Sequence, residues 1–353
     1  MPARRIAVIL FNLGGPDRPR AVEPFLFNLF NDPAIIDLPG VVRWPLAKLI
    51  AHRRNKAAQA IYAHMGGGSP ILANTERQAT ALLSALSDLG DFGIFIAMRY
   101  WHPLTPAAVA AVKEFAPDEI VLLPLYPQFS TTTTESSANA WRAEAARQGL
   151  KATEKLVCCY PTEPGFVAAL ADVTQQAIDR VKAKTKAPMQ VIFSAHGLPK
   201  KIVDRGDPYV AHVSATVNAV VDRLGLAREE WVTAFQSRVG PLEWVGPATD
   251  HVIEQAADEG KAIVVVPVAF VSEHSETLVE LDIEYRHRAE RRPAAAYERA
   301  PTVSEHPEFI AGLAGLVRQA LATPLRVQAG SGTRYCADWP RCACQQEPKR
   351  GAS

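Results

Sequence analysis

Five apolar runs recur along the chain: IAVILF (6–11), FGIFIAM (92–98), EIVLLPL (119–125), VIFSA (191–195) and AIVVVPVAF (262–270). They are continuous rather than alternating. A strand with one wet face alternates apolar and polar residues, so an unbroken run reads as a strand covered on both faces. Between the runs lie Ala-rich stretches with helical spacing, among them PAAVAAVKEF (106–115), FVAALADVTQQAIDRVKAK (166–184) and ATDHVIEQAADEG (248–260). Strands alternating with helices predict an α/β protein built on a doubly wound parallel sheet.

The pattern occurs twice. VILFNLGGP (8–16) aligns with VIFSAHGLP (191–199), and MRYWHPLTP (98–106) with QSRVGPLEW (236–244). In both halves a helix and an apolar strand containing a proline follow, at Pro124 and Pro267. A chain of 353 residues has room for two domains. The expectation is two Rossmann-like domains facing each other across a cleft. Residues 1–165 form the first, with an apolar lip over 24–54. Residues 166–325 form the second, and 326–353 a cysteine tail.

Composition narrows the function classes. Lys and Arg total 38 against 37 for Asp and Glu, which argues against a broad nucleic-acid surface. A Gly-rich loop at GGGSP (66–70) fits neither nucleotide-binding glycine pattern, so no nucleotide is expected. The apolar start breaks at Gly14-Gly15-Pro16-Asp17 and lacks a cleavage pattern, so it reads as a first strand of a cytoplasmic protein. The lip is interrupted by Asp32, Asp37 and prolines, too broken to span a bilayer. Its Phe, Leu, Ile and Trp44 mixed with Arg and Lys predict a peripheral membrane surface instead.

Three stretches carry chemistry. His196 ends an apolar strand and is followed at once by Gly197 and, after Leu198, Pro199. Ligands in doubly wound sheets lie at such carboxyl ends. In AFVSEHSETLVELDIEY (269–285), Glu273, Glu276, Glu280 and Glu284 recur at three- and four-residue spacing beside His274. On a helix they share a face, where carboxylates and imidazole hold a divalent cation or share a proton. In YPQFSTTTTESSANAW (126–141), seven of the eight residues from Ser130 to Ser137 carry hydroxyls. That run reads as a helix cap whose hydroxyls and N–H groups, Ser130 first, also face anionic ligand groups.

FNLGGP (11–16), GGGSPI (66–71), MRYWHP (98–103), YPQFSTTTTESS (126–137), FSAHGLP (193–199), RGDPY (205–209), FQSRVGPLEWVGPATD (235–250) and SEHSETLVELDIEY (272–285) together resemble ferrochelatases, in order across nearly the whole chain. The resemblance implies insertion of Fe2+ into protoporphyrin IX, the last step of haem synthesis. It implies that His196 is the essential histidine and Glu276 its partner carboxylate, both at the substrate iron. Glu280 extends a path for iron or protons. Arg54 and Ser237 are implied near the propionates, Tyr62, Arg99, Tyr100, Trp244 and Phe270 around the macrocycle, and Leu13 against its face. Other readings are a tetrapyrrole delivery protein without turnover, and a chelatase for cobalt or for coproporphyrin.

The tail RYCADWPRCACQQ (334–346) brings Cys336, Cys342 and Cys344 together without the spacing of a zinc knuckle. Four thiolates hold a 2Fe–2S cluster, and only Cys158 and Cys159 remain to supply the fourth. Adjacent strand residues face opposite sides, so one of the two is expected to ligate, with Cys158 favoured. Some bacterial ferrochelatases carry such a cluster, so the resemblance points the same way.

Overall fold

Each apolar run of the sequence becomes a strand of a parallel sheet. The computed structural model describes residues 4–238, 240, 242–330, 339 and 341–345. Two compact units result. One holds the described residues up to Tyr160 together with those from Leu313 onward; the other spans Pro161–Gly312.

The first unit carries β1 (Ile6–Asn12), β2 (Phe92–Met98), β3 (Glu119–Pro124), β4 (Thr153–Cys159) and β9 (Val327–Ala329), in the order β2-β1-β3-β4-β9. The second carries β5 (Met189–His196), β6 (Trp231–Gln236), β7 (Ala262–Pro267) and β8 (Ala296–Arg299), in the order β6-β5-β7-β8. Every ladder is parallel. β1, β3 and β7 are buried along their whole length, which is why they are written without polar alternation.

In both sheets the first strand lies between the second and third, the flavodoxin-like order. The chain reverses direction across the sheet at β1/β3 and at β5/β7. Those two carboxyl-end crevices are where such sheets bind ligands. The internal repeat goes further. β3 and β7 both end on a proline, and each is followed by a π-helix, Thr131–Glu135 and Glu276–Glu284. The spacing of the glutamates predicts an ordinary helix. A π-helix shifts the hydrogen bonds to i→i+5, a rare geometry met most often at functional sites.

The unit boundaries depart from those expected. The last helix, Pro307–Ala322, starts in the second unit and ends in the first. β9 then pairs with β4, so the tail joins the first sheet. The Lys155 ammonium holds this return, donating to the carbonyls of Ala320 (2.8 Å) and Thr323 (2.6 Å) while 3.0 Å from the buried Glu119 carboxylate. A cation on the last carbonyls of a helix satisfies groups that have no partner within it.

The apolar lip comprises two helices, Val22–Phe30 and Gly40–Ala63. The second runs past the expected end at residue 54 and carries both Arg54 and Tyr62. No helix among the described residues is long and apolar enough to cross a membrane.

Candidate active site

In the second unit the expected groups gather at the β5/β7 crevice. His196 is the last residue of β5, and His274 and Glu276 follow β7. Gly197 must follow His196 because the backbone turns tightly there. A Cβ at Gly197 would come within 3.0 Å of the Gln236 carbonyl and 3.2 Å of the Trp244 ring. That turn brings the Gly197 carbonyl back to His196 Nδ1, at 2.6 Å. A carbonyl only accepts, so Nδ1 carries the hydrogen and Nε2 is left with its lone pair.

His196 Nε2 lies 3.7 Å from Glu276 Oε1, and His274 Nε2 lies 3.6 Å from Glu276 Oε2. One carboxylate therefore stands between two imidazoles, at charge-pairing rather than hydrogen-bonding range. His274 Nδ1 donates to the Ser272 carbonyl at 3.0 Å, and its ring packs on Phe270 at a centroid distance of 4.7 Å. Burial disfavours the charged form of His274, but the neighbouring Glu276 outweighs it and raises its pKa. Burial likewise opposes ionisation of Glu276. The nearby charges of His196 and His274 overcome it and hold the carboxyl at about 2. Glu276 is thus an anion at any physiological pH.

The glutamates of this stretch are not equivalent. Glu280 accepts from Ser237 N (2.8 Å), Ser237 Oγ (2.5 Å), Gln236 Nε2 (3.1 Å) and Tyr285 Oη (2.7 Å). Burial and the charge of Glu276 still raise its pKa. Ser237, implied near the propionates, directs both its N–H and its hydroxyl to Glu280, from a backbone with φ of 60°. Glu284 is exposed. Glu273 leaves the row altogether and binds Arg299 Nη1 at 2.9 Å and Thr302 N at 3.0 Å. Gln236 and Tyr285 were not singled out from the sequence: Tyr285 closes the same stretch as Glu280 and Gln236 opens the one with Ser237, but nothing in the linear pattern shows that both donate to Glu280.

In the first unit the expected residues lie around the carboxyl ends of β1, β2 and β3. Tyr62 and Tyr100 are buried in one apolar cluster, and half-buried Leu13 packs against it. The centre of this locality is Asp32, 3% exposed. It accepts from Tyr100 Oη (2.8 Å), Ser136 Oγ (2.5 Å) and the Ala34 N–H (2.9 Å), with Arg99 Nη2 at 2.7 Å. Arg99, implied at the macrocycle, thus also neutralises a buried carboxylate. The sequence offers no pattern linking Asp32 to Arg99. Ser130 caps the π-helix by accepting from Thr132 N at 3.1 Å, as the capping reading requires. Arg54 stays exposed on its helix, over the Phe30 ring.

The cysteines form a separate cluster in the first unit. Sγ of Cys158, Cys159 and Cys342 all lie within 4.8 Å of one another, and Cys344 Sγ is 3.3 Å from that of Cys342. Cys336 lies outside the described residues. The strand rule places Cys158 and Cys159 on opposite faces, but their sulfurs are 3.4 Å apart. The register of β4 on β9 shifts between Val157 and Cys159. Such a bulge inserts a residue and turns its neighbour to the same side.

A family model described as Ferrochelatase matches residues 5–321. The ferrochelatase of Caulobacter vibrioides is 51% identical over 348 residues, spanning 97% of this chain and 98% of that protein. That of Phenylobacterium zucineum is 50% identical over 349 residues (97% and 98%), and that of Thermosynechococcus vestitus 46% over 337 (93% and 85%). Among solved structures, SirB from Bacillus subtilis with Fe3+ superposes with a TM-score of 0.51 at 12% identity, over 90% of this chain and 96% of that one. That likeness concerns the fold.

Proposed function

The chain belongs to the ferrochelatase family and inserts Fe2+ into protoporphyrin to form haem; on that premise we propose that His196 Nε2 is the base that accepts the pyrrole protons and Glu276 the anion that keeps it effective. A free-base porphyrin holds two N–H protons in its central cavity, and its lone pairs point inward in the ring plane. Metal enters only when the ring is bent and those protons have somewhere to go. Apolar and aromatic walls supply the binding energy that bends the ring. In the second unit Trp244 beside Gly197 and Phe270 against His274 are the aromatic candidates; in the first unit the candidates are Leu13, Tyr62, Arg99 and Tyr100.

The observation that carries this reading is the bond from His196 Nδ1 to the Gly197 carbonyl. It leaves Nε2 as the accepting atom, facing Glu276. An imidazolium formed at Nε2 gains the attraction of a carboxylate 3.7 Å away. The same two atoms suit passing contact with Fe2+, which is substrate here. Glu280, whose raised pKa eases proton exchange, is the next acceptor. Arg54 on the lip is the cation proposed for the propionates.

Anaerobic mixing of Fe2+ with protoporphyrin, followed by product absorbance, tests the assignment. His196→Ala is expected to lose about 10²–10⁴-fold in rate while fluorescence quenching shows unchanged porphyrin affinity. Near-normal turnover of that variant ends it.

Two further readings accompany the first. Thiols of Cys342, Cys344 and Cys158, with Cys336, are the donor set a 2Fe–2S cluster requires. The convergence of the three described ones supports it. When bound, the cluster supplies iron–thiolate cross-links that tie the tail to β4. The lip presents Val41, Val42, Trp44 and Leu49 to solvent, at 85%, 49%, 51% and 45% exposure, among Arg43, Lys48, Arg53 and Arg54. Apolar residues outside and cations along the same helix suit peripheral attachment to an anionic membrane.

A further inference from the structure

A 2Fe–2S cluster takes four thiolates, and this chain has five cysteines. The surplus thiol is not elsewhere in the protein. Cys158 and Cys159 are both fully buried at the end of β4, with sulfurs 3.4 Å apart and both within 4.8 Å of Cys342 Sγ. A tetrahedral thiolate centre with metal–sulfur bonds of about 2.3 Å spaces its sulfurs about 3.8 Å apart. Two sulfurs closer than that lie within reach of a single metal position. A buried cysteine is often only a small apolar residue. Here, however, the β4 bulge turns the second thiol out of the sheet pattern and toward Cys342 of the tail. Simple packing needs no such turn.

We propose that Cys159 is a reserve ligand: the internal half of the cluster site is a vicinal pair, either of whose sulfurs takes the same iron. This rests on the cluster reading above. In the exchange the bond from iron to Cys158 Sγ breaks and the bond to Cys159 Sγ forms. The proton leaving the Cys159 thiol passes to the Cys158 thiolate. The iron keeps its oxidation state, so no oxidant or reductant is required.

The test uses the full-length protein purified anaerobically, with iron and acid-labile sulfide assayed per chain and visible circular dichroism and electron paramagnetic resonance recorded. Alanine replaces cysteine because a serine oxygen can itself bind iron. Cys158→Ala is expected to keep about two irons and two sulfides with shifted visible bands. Cys159→Ala should match wild type, and the Cys158→Ala/Cys159→Ala double variant should be colourless. Far-ultraviolet dichroism and thermal unfolding report whether each variant is folded. A folded Cys158→Ala protein without sulfide, beside a coloured wild type, overturns the reserve role and leaves the cluster standing. So does a double variant that keeps the cluster. A wild-type protein without sulfide overturns both.

Discussion

Glu276 sits 3.7 Å from one imidazole and 3.6 Å from another, and the two are differently placed. His196 is half-exposed and presents a lone pair, whereas His274 is buried with a raised pKa and stabilises the anion between them. Glu276→Gln removes that anion and is expected to lower turnover by about 10²-fold or more. Glu284→Gln, at the exposed far end of the π-helix, is expected to lower it little. Equal losses in single-turnover assays would point to a diffuse acidic field instead. His274 makes a second, pH-dependent prediction. A histidine whose folded pKa lies above its ordinary 6.5 contributes stability that is fully present below that value and lost as pH rises through the folded pKa. His274→Gln is therefore expected to destabilise by about 1–3 kcal/mol in the acidic range, and the gap from wild type to narrow as pH rises. Urea unfolding at a series of pH values checks this; a gap that widens with pH contradicts it. At this scale the sequence pointed to His196 and Glu276, because a strand end and a helix start are local features. It did not reveal that Ser237 and Glu280, 43 residues apart, share two hydrogen bonds.

The elements that matter most are the ones departing from regular geometry. The π-helix Glu276–Glu284 leaves Glu280 folded onto Ser237 and Tyr285 and Glu284 in solvent. The bulge in β4 does the same kind of work for Cys158 and Cys159. Neither is visible in periodicity, because the π-helix has only nine residues and the β4 bulge falls in a fully buried stretch with no alternation to break. The lip helix Gly40–Ala63 carries Pro45 within it, and the membrane attachment proposed for it rests on the exposure of its apolar residues. Each Arg near an anionic surface contributes about 1 kcal/mol. Charge reversal at Arg53 and Arg54 together is therefore expected to weaken binding to phosphatidylserine vesicles by at least about 30-fold. Flotation unchanged by the double reversal would argue against peripheral attachment through the lip.

The two sheets repeat one strand order, and the repeat accounts for where both groups of candidate residues lie. The chain returns at its end to the first sheet, where β9 covers the edge of β4. Without β9, the strand carrying fully buried Val157, Cys158 and Cys159 would become an open edge. A chain cut after Leu325 is therefore expected to unfold at lower temperature and to aggregate, even with iron and sulfide supplied; soluble yield and calorimetry measure it. A truncated chain as stable as the whole would mean β9 is dispensable. Continuous apolar runs, the proline that ends β3 and β7, and the His-Gly turn were legible in the sequence, because burial and backbone sterics act within a few residues. So was the convergence of tail cysteines on the first unit, since no other thiols remain. The tertiary structure alone decided that Asp32 holds Arg99, that the last helix crosses from one unit to the other, and that two adjacent cysteines face the same way. Each of these depends on partners far apart in the chain, and a linear pattern carries no record of distance in space.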